Sequence, residues 1–535
     1  MSKFNRRSFL KLIGAAAPAV LLPSLAHRVG GLDASRPNII VLLFDAMSAR
    51  NLSLYKYPRP TSPAMERFAE HANVYHAHNS SGNYTIPGVA SLMTGTYPWK
   101  HRAINHRGAI RQSMVGNNLF RVLGSDYHRL AFPQNFWATL LLSQFQDDVD
   151  VLLSSGEFSE LSYLLSDHFP KDKNMSARAL DDFLFRVGEA PPSLVLGSLE
   201  RLLYSWQSNH LPTDGYKELP HDLNYPITFR LEDVFDGLIS LIPSLPAPFF
   251  TYLHLLPPHT PYRPTDKFFN AFRDDMKPMR KPDHRFADGT SNADLNLARR
   301  LYDEYIASLD QELGRLLDSL ESQGLFENSY VILTADHGEM FERGEKGHST
   351  PLLYDPVIHI PLLISAPGQK TRRDIYTPTN AVDILPTLAH LTGNPLPAWT
   401  DGKPLPGLGG EEDYERSLYS VEAKLSPANG ILNKATVVLR KGDRKLIYYT
   451  GYEAEDSFEL YDLSENIEEL HDLYPDQPAF AKQMKEELLE AFFEANKKKR
   501  PLQKSKDVTR RHEDTENQLK LRRGGYRSIQ SLSKG

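Results

Sequence analysis

The 535-residue chain contains no cysteine. That excludes disulfides, thiolate metal sites and a cysteine nucleophile, so any chemistry must come from oxygen and imidazole groups. Nor is there a large excess of one charge: 61 Lys and Arg stand against 67 Asp and Glu, a net charge of -6. Attraction of the whole surface to nucleic acid is therefore not expected. No internal repeat is visible, and beyond the first 30 or so residues no apolar run is long enough to read as a membrane span. What is present, 41% hydrophobic and 24% charged residues, is the composition of a folded protein with length for one large domain and a smaller one.

The first residues read as an address. Arg6 and Arg7 precede an apolar segment from Leu12 to Leu22 and small residues ending at Ala26. This is the pattern of a prokaryotic twin-arginine export signal, against the plainer alternative of a short buried helix. Residues 1–34 are assigned to that signal and a linker. The expected partner is the twin-arginine machinery, and the expected location is periplasmic or extracellular.

Four apolar runs read as buried strands: RPNIIVLLFDA ending in Asp45 and Ala46, APFFTYLHLL (Ala247 to Leu256), NSYVILTAD (Asn328 to Asp336) and IHIPLLISAP (Ile358 to Pro367). They alternate with helical patterns such as Tyr302 to Gly324, which implies an α/β sandwich with a mainly parallel central sheet. Within a main domain over 35–404, residues 136–231 are strand-poor and are expected to form an inserted helical cap. A composition shift near Leu405 opens a smaller α+β subdomain over 405–496, with a hairpin at ATVVLRKGDRKLIYYTG and a terminal helix. The basic stretch 497–535 reads as a solubilising tail or as a peripheral contact with an anionic surface.

In an open α/β sheet, ligands gather at the carboxyl ends of the strands. Asp45 and Asp336 end two of the expected strands, and His337 follows, a set of oxygens and one imidazole suited to a divalent cation. Thr85, in NYTIPGVASLMTG, starts a helix. From local pattern it is either a helix cap or a hydroxyl activated by the cation; Asp45, Asp336 and His337 each have a structural alternative as well.

Taken in order, RPNIIVLLFDA, TIPGVASLMTGTYP, PHTPYRP, LTADHGEMFERGEKGHSTPLLYDPVIHIPLLISAPG, NAVDILPTLAHLTGNPLPAWTDG and ELYDLSENIEELHDL resemble the landmarks of the sulfatase branch of the alkaline phosphatase superfamily. The resemblance runs from about Arg36 to about Leu473. It implies a metal held by Asp45, Asp336 and His337 with Thr85 in the nucleophile position and also on the metal. It implies that His259 and His348 line the substrate pocket, orienting oxyanions or protonating a leaving group.

The sequence also departs from that pattern. Sulfatases carry a Cys or Ser that is oxidised to formylglycine, in a motif with an arginine; Thr85 cannot become that aldehyde, and Val89 stands where the arginine would be. Ala46 replaces the second Asp of the usual acidic pair. A Thr nucleophile looks instead like the phosphoryl-handling members, among them phosphoethanolamine transferases. His254 and His259 in LHLLPPHTPY have no carboxylate near them in sequence, so a second metal is not expected. The expectation is an exported hydrolase with one divalent metal, zinc or manganese ahead of calcium or magnesium. It would cleave or transfer phosphate or phosphonate esters of a small-molecule or cell-surface substrate. The alternatives are a sulfatase and a catalytically silent anion-binding protein of the same fold.

Overall fold

Strand β1, Asn38–Asp45, is buried along its whole length. Alternate residues point to opposite faces of a strand, and both faces are apolar here. Ile40, Leu42 and Phe44 enter one core, Ile39, Val41 and Leu43 another. A strand of this kind requires cover on both sides, and the computed structural model supplies it. The model describes residues 35–105, 108–158, 229–476 and 478–497.

The central sheet contains β1, β2 (Asn73–Tyr75), β3 (His128–Pro133), β4 (Val151–Leu152), β5 (Phe249–Pro258), β6 (Ser329–Ala335), β7 (Leu362–Ser365) and β8 (Arg373–Ile375), in the order β8-β2-β7-β6-β1-β5-β3-β4. Among the described strands only β7 runs against the others. β1 lies between β5 and β6, parallel to both, so the carboxyl ends of three strands meet at one edge. The expected strands at the first three apolar runs are thus present. The fourth is shorter than its run and antiparallel to β6. Pro361, just before Leu362, has no N–H for a ladder, and the connection from β6 carries no crossover helix of the length a parallel return needs.

One face of the sheet packs on helix Asn292–Ser322 through Tyr302, Ile306, Leu309 and Leu313. The other packs on helices Thr85–Thr94 and Ile384–Leu391 through Ile86, Val89, Ala90, Ile384, Leu385 and Leu388. Four antiparallel strands, Leu418–Glu422, Ala435–Lys441, Arg444–Thr450 and Ser457–Asp462, form a second sheet, with the hairpin where the sequence places it.

Most of the expected cap, residues 159–228, lies outside the described residues, as do residues 1–34 and 498–535. The described flanks of the cap belong to the sheet layers. Helix Phe136–Leu142 and β4 follow β3, and Phe235 and Leu238 of helix Leu231–Leu241 enter the same core as helix Asn292–Ser322. A two-residue strand has too short an apolar run to be seen in the sequence. The described residues up to Ala491 form one compact unit; a second begins at Phe492, within helix Ala479–Asn496. No helix among the described residues is long and apolar enough to cross a membrane.

Candidate functional site

Asp45 leaves the end of β1 through Ala46, a non-glycine residue held at φ 61°. Alanine in that region is strained. The conformation is secured on both sides: Ala46 N donates to Asp336 Oδ1 at 3.2 Å, and the Tyr302 hydroxyl donates to Ala46 O at 2.6 Å while accepting from Ser48 N at 2.9 Å. Helix Asn292–Ser322 thereby fixes the turn that aims Asp45. Asp336 follows β6 directly and meets Asp45 from the neighbouring strand.

Both carboxylates are buried. Among the described residues Asp45 Oδ1, Asp336 Oδ2 and His337 Nε2 have no hydrogen-bond partner, a costly state for buried polar atoms. His337 Nε2 lies 3.3 Å from Asp45 Oδ1 and 3.6 Å from Asp336 Oδ2. Donors bound to one tetrahedral cation at about 2.1 Å stand roughly 3.4 Å apart. The residues present therefore fit a divalent metal. His337 Nδ1 is occupied by Gly338 O at 2.9 Å, which presents Nε2 to the carboxylates. Burial disfavours a charge on His337, but Asp336 and Asp45 outweigh it and push the ring up to about 9. Burial also raises Asp336, and the Asp45 charge adds to it. Asp45 itself is held well below the usual carboxylate range, because His259, His254 and His337 together overcome its burial.

Thr85 is the first residue of its helix; the N-cap is Tyr84. The Thr85 hydroxyl is therefore not spent on capping. Asn135 Nδ2 lies 3.3 Å from Thr85 Oγ1 and also donates to Asp45 Oδ2. The Oδ1 of Asn135 caps helix Phe136–Leu142 by accepting from Trp137 N at 2.7 Å, so the amide cannot turn round. The helix of Thr85 approaches the end of β6 closely. A Cβ at Gly88 would land on the Asp336 carbonyl oxygen and 3.2 Å from the Asp336 Cβ.

The rings of His337 and His348 lie 4.3 Å apart and those of His348 and His259 5.0 Å apart. The structure thus gathers every residue expected at the site: Asp45, Thr85, His259, Asp336, His337 and His348. His348 Nδ1 is 3.0 Å from Glu339 Oε2, and His259 Nδ1 is 2.6 Å from Thr260 O. Burial, His337 and His259 keep His348 well below the usual imidazole range, whereas burial lifts Glu339 to about 7.

A model of the sulfatase family matches residues 37–135 and 208–394, more than half of the chain. The chain belongs to the sulfatase family. A second model, for the C-terminal part of N-sulphoglucosamine sulphohydrolase, matches residues 344–497. A choline-sulfatase from Rhizobium meliloti (strain 1021) is 23% identical over 469 residues, covering 83% of each chain. The phosphonate monoester hydrolase of Agrobacterium radiobacter superposes with a TM-score of 0.62 at 20% identity, over 86% of this chain and 96% of that one. A structure solved with its substrate, D-glucosamine-2-N,6-O-disulfate, gives 0.59 at 16% identity, over 88% and 100%. These likenesses show the alkaline phosphatase-type fold. This sulfatase-family chain is a hydrolase of the ester-cleaving kind, from a metal-dependent family, and it has a buried Asp/His/Asp cluster at the strand ends.

That cluster includes a residue which the sequence reading set aside. His254 lacks a carboxylate near it in sequence, but the structure places its Nε2 3.1 Å from Asp45 Oδ2 and 3.8 Å from Asp336 Oδ2. The reason is strand order: β5 pairs with β1, and neighbouring parallel strands are distant in sequence. A polar ring inside the otherwise apolar run FFTYLHLL was the available signal. Asn135 was also missed. Its signal was an Asn directly before Phe136 at a helix start.

Proposed function

We propose that the protein is an exported phosphate- or phosphonate-ester hydrolase with Thr85 as nucleophile. The observation that carries this reading is Asn135, whose amide reaches both the uncapped Thr85 hydroxyl and Asp45. A threonine there cannot supply an aldehyde hydrate, but its hydroxyl can attack phosphorus. A divalent cation held by Asp45, Asp336 and His337 would lower the pKa of a nearby hydroxyl and neutralise charge on ester oxygens.

This chain's own residues do the rest. Asn135, locked by its helix cap, orients the Thr85 oxygen and donates to charge developing beside it. The Thr85 hydroxyl gives its proton to solvent as its pKa is lowered. As the bond from Thr85 Oγ to phosphorus forms, the bond to the leaving oxygen breaks, and that oxygen takes a proton from the imidazolium of His259, or from Nε2 of His348 as Glu339 passes its own proton to Nδ1. Both rings have Nδ1 engaged elsewhere, leaving Nε2 for the substrate. Water then releases phosphate from Thr85; an acceptor alcohol in its place would make the protein a transferase. The Arg6–Arg7 signal supports export by the twin-arginine route.

The test is turnover of aryl phosphate monoesters and diesters and a phosphonate monoester beside an aryl sulfate. Thr85→Ala should lose at least 10³-fold in kcat with cation uptake kept, and intact-mass measurement should trap a phosphorylated Thr85. A sulfate ester is the second reading, favoured by the choline-sulfatase likeness across 83% of the chain. Cleavage of the aryl sulfate alone would establish it and overturn the first.

A further inference from the structure

We infer that His254 is a fourth protein ligand of the same metal ion, so that two imidazoles and two carboxylates select a zinc-like transition cation over calcium or magnesium. This rests on the reading that Asp45, Asp336 and His337 hold a divalent cation. Ala46, directly after Asp45, offers no side-chain donor, and the neighbouring strand supplies one instead. His254 sits on β5 in register with Leu43, two residues before Asp45, and is fully buried. Its Nε2 is 3.8 Å from Asp336 Oδ2, an atom with no hydrogen-bond partner among the described residues. The nearer oxygen, Asp45 Oδ2, already receives the Asn135 amide and does not depend on His254 for a donor.

Behind the ring, Nδ1 lies 3.2 Å from the Tyr252 hydroxyl. Tyr252 is two residues back on the same face of β5 and is also buried. An outer hydrogen bond of this kind fixes the ring plane and tautomer of metal-binding histidines. Imidazole suits zinc, copper and nickel, whereas magnesium and calcium favour all-oxygen sites.

X-ray absorption at the zinc edge of the zinc-loaded, full-length protein counts bound imidazoles through their multiple scattering. Two are expected; one overturns the inference, and that result needs no variant. In His254→Asn the count should fall to one, and zinc affinity, measured by chelator competition, should fall at least about 10- to 100-fold, the range for losing even an outer partner. Unchanged affinity and count in the variant would also overturn it. In metal competition, His254→Asp should move the preference toward calcium or magnesium; an unmoved preference counts against selection by imidazole. A protein that takes up no divalent cation overturns both this inference and the proposed function. A zinc protein with one imidazole and full phosphoester turnover overturns this inference alone.

Discussion

The Nδ1 of His348 lies 3.0 Å from Oε2 of Glu339, a carboxylate only 1% exposed and two residues beyond His337. In the proposed reaction the contact sets which nitrogen of His348 faces the substrate. Glu339→Gln keeps the size and removes the charge, so the ring loses its fixed tautomer. We expect kcat to fall about 10²-fold with KM little changed, the scale of positioned acid–base help. The loss should be larger for esters with poor leaving groups. Steady-state kinetics over a series of aryl and alkyl esters checks this, and an equal loss across the series would rule it out.

Asn135 has two jobs that can be separated. Asn135→Ser keeps a side-chain oxygen able to cap helix Phe136–Leu142 but removes the amide donor to Thr85 and Asp45 without adding a charge beside Asp45. It should retain its melting temperature and lose about 10²-fold in kcat. Asn135→Ala should lose both, with about 1 kcal/mol of stability gone as well. Melting curves beside kinetics distinguish them.

Gly88 is where the helix of Thr85 touches the end of β6. Gly88→Ala would press a methyl group onto the Asp336 carbonyl, forcing the helix away. The expected result is a stability loss of about 1–3 kcal/mol with a fall in metal affinity and kcat together. Calorimetry and metal titration measure both; wild-type activity would show that the helix tolerates the shift.

Asp310, on helix Asn292–Ser322, accepts from Ala64 N at 2.6 Å and Met65 N at 3.1 Å, satisfying the start of helix Pro63–Ala69. Burial pushes its carboxyl up to about 7 despite those bonds. Because the folded value exceeds the unfolded one near 4, its contribution is fully present below about pH 4. It is lost as the pH rises through about 7, on the order of a few kcal/mol. Asp310→Asn should remove that slope between pH 4 and 7 in urea denaturation.

Lys445 is fully buried, with Nζ 2.8 Å from Asp355 Oδ1 and 2.6 Å from Glu469 Oε1. Lys445→Met would leave two buried carboxylates facing each other. Removing one partner of a buried ion pair costs about 3–5 kcal/mol, visible as a large drop in melting temperature. Restoration by adding Asp355→Asn would confirm that stranded charge, and not lost packing, is the cause.

The strand ends were legible because a buried parallel strand writes an unbroken apolar run, and the first polar residue after it is the proposed ligand: Asp45 after NIIVLLF, Asp336 after YVILTA. Thr85 stood out through Pro87 and the small residues that follow. His254 and Asn135 were hidden for different reasons. His254 is inside a strand, where its meaning depends on which strand lies alongside, and that order is decided by packing. Asn135 reads locally as a helix cap, which it is; the second use of the same amide exists only after β3 is placed two strands from β1. The short strand β4 and the reversal of β7 involve so few residues that no period can be counted.

The last strand-to-chain contact reaches further than its size suggests. Val421 N, on the edge strand of the second sheet, donates to Ser81 O at 2.9 Å, four residues before Thr85. Asn83, between them, donates to the carbonyls of His348 and Thr350, both at 2.7 Å. The segment carrying the Thr85 hydroxyl is thus stitched at once to the far sheet and to the histidine loop. Shortening the gene before Leu418 would not yield a smaller working enzyme, because what looks like an appendage along the chain is part of the frame on which the hydroxyl is hung.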